Sequence, residues 1–374
     1  MAQIAAVSPA QAPQANLAKP AQIALDMTTP PVETLGFDLG WDFAHYGLTP
    51  PVVHLFTASP LLQGWQAGRA SFGERTLKAS RHIRMCLQLR THALSRGLSF
   101  ESLQLTANYL QQIDVEHCPV TRQALRQQDG AATERSIDRV RDDAGYAAGN
   151  LAVMSRMANR AKGSHDFEAA QAIARSVAAG PFQQIGGLGP KEWARVATLC
   201  SFVTELPHEQ AAQLPLLVLP PNRLQLFNPI QALQALVTRQ LASPGWSQRL
   251  ARLEALLPAE ATKADFNRFV LAFVPRVLTA GELIDPQQIR WALEDAWSDA
   301  LVQKRWTKFA LQLSSTQAES LVHKLAAKRL SPVRVQQHVP QRATEGWALE
   351  RRGYRSPAAR TGSHAVMAGA KSVC

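Results

Sequence analysis

Residues 136–163 read SIDRVRDDAGYAAGNLAVMSRMANRAKG, and the rest of the chain is arranged around them. Ser136-Ile137-Asp138-Arg139-Val140 alternates as a half-buried strand does. Arg141 to Gly149 has the composition of a turn, with two glycines and a pair of aspartates. Asn150 to Met154 predicts a second short strand. Ser155 can cap a helix from Arg156 through Asn159 to Lys162, and Gly163 can end it.

The order strand, loop, strand, helix has a chemical use. Asp138 and Asn159 stand on different elements, and a hairpin with a helix folded back across it can bring them together. A carboxylate and an amide oxygen are both hard donors and can share one divalent cation. Mg²⁺ suits such a site, because it is bound by one or two carboxylates and completed by waters and phosphates. A cation so held can stabilise the leaving oxygen of a phosphodiester. Arg139, Arg141, Arg156, Arg160 and Lys162 surround the pair in sequence and are candidates to hold phosphate.

The string resembles the ββα-metal core of HNH endonucleases, in particular the phage and mobile-element branch. Asp138, Gly145-Tyr146, Gly149-Asn150, Asn159 and Lys162 fall in register with it. The resemblance implies a metal-dependent endonuclease that hydrolyses DNA phosphodiester bonds. It implies Asp138 and Asn159 as ligands of Mg²⁺ or Mn²⁺, and Asn150 as the central asparagine that braces the hairpin loop. It departs at one position. Many HNH nucleases have a histidine base at or after the first-strand aspartate, and here Arg139 follows Asp138. A guanidinium cannot accept the proton of an attacking water. Cleavage would then need another base, such as His117 or His165, or a metal-held hydroxide. Zinc-braced relatives carry paired CxxC motifs, whereas Cys118 has no second cysteine nearby, so no structural zinc is expected. Two alternatives stand beside the nuclease: a non-cleaving nucleic-acid-binding protein with a degenerate core, and a helical scaffold protein.

The 374 residues carry a net charge of +11, which favours nucleic acid or an anionic surface as partner. Four scattered cysteines suit a reducing cytoplasm, and no uncharged apolar run predicts a membrane span. The N-terminus has no charged segment ahead of an apolar one, so no secretory signal is expected.

The expected fold is mainly α with a small embedded ββα module, α+β overall. Residues 1–35 read as a disordered tail, 36–112 as a helical N-terminal region, and 113–165 as the core module. Residues 166–335 read as a helical C-terminal region and 336–374 as a basic disordered tail. Gly36 to Pro60 predicts an irregular segment, and Ser59 to Leu98 predicts helix. Arg75, Lys78, Arg81 and Arg84, spaced by three, would then line one side as a phosphate-contacting face. Glu101 to Asp114 predicts a further helix and Glu116 to Thr121 a short strand. Beyond Gly163, helices are expected at 165–179, 191–205, 229–242, 246–257, 262–278, 286–306 and 307–330. Glu282, Asp285, Glu294, Asp295 and Asp299 read as a solvated acidic face.

Overall fold

The computed structural model describes residues 32–127, 130–279, 285–328, 330, 336–338 and 347. The expected tails therefore lie largely outside the described residues. The fold is mainly helical with very little sheet.

The N-terminal unit comprises α1 (Val32–His45), α2 (Pro60–Phe72), α3 (Arg81–Arg96) and α4 (Ala107–Ile113). Two sequence expectations fail here. Of the segment expected to be irregular, residues 46–59 are so apart from a short turn of helix at Val52–His54, but its first part lies in helix α1. Its Gly40 is a contact point, since a Cβ there would lie 2.0 Å from the Leu61 carbonyl oxygen of α2. The single helix expected over 59–98 is two. Gly73 closes α2 in the left-handed region at φ +56°, and Ser80 caps α3 by accepting from the Ile83 N–H. Arg75 and Lys78 thus lie on the connecting segment and share no helical face with Arg84. The next helix is also shorter than expected, because Thr106 caps it. Leu39, Phe43, Leu61 and Leu87 form a small core of their own.

Strands β1 (Arg135–Arg139) and β2 (Leu151–Ser155) pair antiparallel, and α5 (Arg156–Lys162) follows. The predicted strand at Glu116–Thr121 is instead a turn, with only an isolated bridge from His117 to Ala124. Cys118 is buried there and its sulfur accepts from the Thr121 and Ser155 N–H groups.

The C-terminal region holds α6 (Phe167–Ala179), α7 (Pro190–Ser201) and α8 (His208–Gln213), then β3 (Gln225–Leu226). It continues with α9 (Pro229–Gln240), α10 (Trp246–Glu254), α11 (Glu260–Leu278), α12 (Pro286–Ala296), α13 (Ala300–Ala310) and α14 (Ser315–Ala327). It ends in β4 (Gln336–Gln337), parallel to β3. The helix expected over 286–306 breaks at Asp299, whose carboxylate caps α13, and Ser314 caps α14 with a full capping box. Trp297 and Trp306 are buried among Phe266, Phe269, Phe273 and Phe309, as apolar anchors should be. One continuous core runs from Leu89 to Trp347 and includes β2 of the hairpin, with Ile137 of β1 packed against it. The hairpin therefore shares its interior with the C-terminal helices.

The acidic residues of α12 are not a solvated face throughout. Glu294 is 2 % exposed and accepts from Arg122, Arg290 and the Leu219 N–H. Arg122 also forms a two-pronged pair with Asp295, at 2.7 Å for each nitrogen. Among the described residues no helix is long and apolar enough to cross a membrane.

Candidate functional site

The β1–β2–α5 unit is built as its residues dictate. Asp138 pairs across the ladder with Ala152. Ser155 caps α5 by accepting from the Ala158 N–H at 3.2 Å, and Gly163 ends it at φ +47°. Asn150 is fully buried inside the hairpin loop. Its Oδ1 accepts from the Arg141 N–H at 2.9 Å, and its Nδ2 donates to the carbonyls of Arg141 and Gly145 at 3.0 and 3.1 Å. One amide thus closes the loop from inside.

The outside of that loop is held by distant parts of the chain. The Gly149 N–H donates to Tyr109 Oη at 2.7 Å, and its carbonyl accepts from the Gln225 N–H at 3.0 Å. Gly149 has φ +92°, and a Cβ there would lie 2.4 Å from the Gln225 side chain, so glycine is required twice over. Trp347 Nε1 donates to the Ala148 carbonyl at 3.0 Å.

Asp138 is only 5 % exposed, and the side chain facing it is Lys162, at 0 %. The Lys162 ammonium lies 3.2 Å from Oδ1 and 3.1 Å from Oδ2 of Asp138. It also donates to the carbonyls of Arg139 at 3.0 Å and Gly163 at 3.3 Å. Burial pushes the Asp138 carboxyl up to about 6, against the pull of the ammonium. For Lys162, burial alone would lower the ammonium, but the neighbouring carboxylate holds it above its ordinary value. Both groups are therefore charged at neutral pH. Burial pushes the thiol of Cys200 on α7 up to about 12, and the charges of Lys162 and Asp138 also act on it.

Helix α5 does fold back over β1, and Asn159 meets it. The Asn159 Nδ2 donates to Ser136 Oγ at 2.6 Å and to the Ile137 carbonyl at 3.3 Å, so its NH₂ group is turned to the strand. This arrangement does not fit a divalent cation. The carboxylate is already neutralised by an internal ammonium, and repulsion from that ammonium would oppose an incoming cation. Among the described residues, no three His, Cys, Asp or Glu side chains are grouped to hold a metal ion.

The arginines expected to ring the site are mostly engaged elsewhere. Arg139 donates to Asp142 and the Ala144 carbonyl, lies over the Tyr146 ring, and is almost buried. Arg141 pairs with Asp143 and lies over Phe227, while Arg156 pairs with Glu134. Lys162 is internal and cannot reach a phosphate. Arg160 alone of the set is exposed and without an ion pair among the described residues. Arg81 is tied to Asp114, which also takes His82 and Arg135, whereas Arg75, Lys78 and Arg84 are exposed. Neither candidate base is hydrogen-bonded to Asp138 or Asn159: His117 packs edge-on against Trp291 and His165 against Trp193.

Sequence reasoning missed the part played by Lys162. The signal was there, since Ala158 and Lys162 are four apart on α5 and so share one face, the buried one. No pattern near the hairpin could have named Cys200, Gln225 or Trp347 as neighbours. Compared with family models, with curated proteins and with solved structures, the chain matches none of them.

Proposed function

We propose that this chain is a DNA-binding protein built on an HNH-like ββα module in which an internal lysine stands where a divalent cation would be held, and that it does not cut. One contact carries the reading: the Lys162 ammonium against both oxygens of a buried Asp138. A catalytic carboxylate must be reachable by metal, water and phosphate, and this one is buried against Lys162 of α5. Arg139 supports the same conclusion, because it cannot act as a base and is held by Asp142.

DNA as partner rests on the net charge of +11 and on the exposed cations Arg75, Lys78, Arg84 and Arg160. If these four each neutralise one phosphate, the log of the affinity should fall with log salt at a slope of about −3 to −4, steeper if further cations engage.

The test pairs two assays on the full chain. Fluorescence anisotropy should detect DNA binding with that salt slope. Supercoiled plasmid incubated with Mg²⁺, Mn²⁺, Co²⁺ or Ni²⁺ should stay supercoiled. Nicking that disappears in Asp138→Ala would overturn the proposal in favour of an HNH-type endonuclease. Absence of any DNA affinity at low salt would leave a helical scaffold protein.

A further inference from the structure

The N-terminal helical unit carries a row of half-buried rings that its own small core does not use. Phe37, Trp41 and His45 are spaced by four on α1 and so lie along one side of it, away from Leu39 and Phe43, which face the core. Phe37 is 38 % exposed. Phe72, at the end of α2, meets Trp41 edge-on at 5.1 Å and lies flat against His45 at 4.5 Å and 15°. The Tyr46 ring, which packs against the small core, backs this row by stacking on His45 at 5.2 Å.

Cations border these rings by construction. The connecting segment after α2 is fastened to the ring-bearing residues through its backbone: the Arg75 N–H donates to the Phe72 carbonyl and the Leu77 N–H to the His45 carbonyl, both at 2.9 Å. The side chains of Arg75 and Lys78 on that segment are exposed. Arg69, one turn before Phe72, is exposed as well and lies 5.0 Å over the Trp65 ring. The carboxylates of the same unit are fewer in the open. Asp38 and Glu74 are exposed, while Asp42 is taken by Arg90.

Resting on the DNA-binding reading, we infer that Phe37, Trp41, His45 and Phe72, with Arg75 and Lys78 beside them, form a platform on which unpaired bases of a single strand stack. Rings at a surface bordered by cations serve a single strand better than a duplex. Bases inside a duplex are already stacked on one another, and only a single strand offers its faces while its phosphates follow the charges. Every base has such a face, so the platform is tolerant of sequence.

The experiment measures anisotropy of a labelled oligodeoxythymidylate, the RNA oligomer of the same length, and a duplex of that length, with the full chain. The wild type should bind a single strand at least as tightly as the duplex. Trp41→Ala should weaken single-strand binding about 5- to 150-fold and leave duplex binding within about twofold, since one stacked base is lost. Phe37→Ser, at a more exposed ring, should act in the same direction with the thermal transition unchanged, which guards against misfolding of the first variant. Arg75→Ala with Lys78→Ala should flatten the single-strand salt slope by about 1.4. Single-strand affinity unchanged in both ring variants, in a protein that binds DNA with a salt slope, would overturn this inference alone. A wild type that binds no nucleic acid would overturn it together with the proposed function.

Discussion

Replacing Lys162 by Met removes the ammonium while keeping most of its apolar volume, and the consequence can be worked from the site. An aspartate kept protonated at pH 7, against an ordinary value of 3.8, costs the fold about 4 kcal/mol, which is the ceiling for this group. With Lys162 present the carboxyl stands at about 6, so the wild type already bears about 3 kcal/mol of that. Losing the ammonium therefore adds about 1 kcal/mol at Asp138. It also leaves the Arg139 and Gly163 carbonyls without their charged donor, worth about another 1–3 kcal/mol. The expected loss at pH 7 is about 2–4 kcal/mol, reaching the range found for breaking one side of a buried pair. The pH dependence follows from the raised folded value. The contribution of Asp138 is most favourable below about pH 4 and is lost as pH rises through 6. At pH 5 wild type and Lys162→Met both hold the carboxyl largely protonated, so the deficit should shrink by about 1 kcal/mol. Urea unfolding at pH 5 and pH 7, followed by tryptophan fluorescence, measures both quantities. A variant within about 0.5 kcal/mol of wild type at pH 7, or a deficit equal at the two pH values, would refute the internal counter-ion.

Mg²⁺ or Mn²⁺ should leave the thermal midpoint of the wild type unchanged, because binding to the folded state alone would raise it; a rise that vanishes in Asp138→Asn would restore the metal site. Asn150→Ala should cost about 2–4 kcal/mol in urea unfolding, since it removes three hydrogen bonds inside the loop and leaves buried backbone groups unmatched; a cost under 1 kcal/mol would show that water closes the loop instead. Arg122→Ala should destabilise by about 3 kcal/mol, because it strips Asp295 of its two-pronged partner and leaves Glu294 with Arg290 as its one cation; an unchanged midpoint would mean that α12 docks without it.

What was legible in the sequence was whatever a short stretch could decide. The hairpin, the Ser155 cap and the Gly163 stop all lie within the 136–163 string and are set by local propensity and capping. Close approaches were not legible. Gly40 looks like a helix breaker until α2 is laid against it, and Gly73 looks like a tolerated helix residue until the chain turns there. The direction of a long side chain was equally hidden. Lys162 has the charge of a phosphate ligand, and only the meeting of α5 with β1 turns it inward. Charge counting also overstated the free cations, because Arg81, Arg122, Arg139 and Arg156 each had a carboxylate waiting at a distance the sequence does not encode.

The hairpin loop takes hydrogen bonds from or gives them to Tyr109, Gln225 and Trp347, three residues scattered over most of the polymer. During synthesis, then, the first two of these partners leave the ribosome long before the third. Until residue 347 has emerged, the Ala148 carbonyl must remain hydrated, and the unit waits half-finished for about half of translation. A chain stopped short of that tryptophan would release this unit to the cell in an incomplete form, and proteolysis of nascent intermediates should find it there.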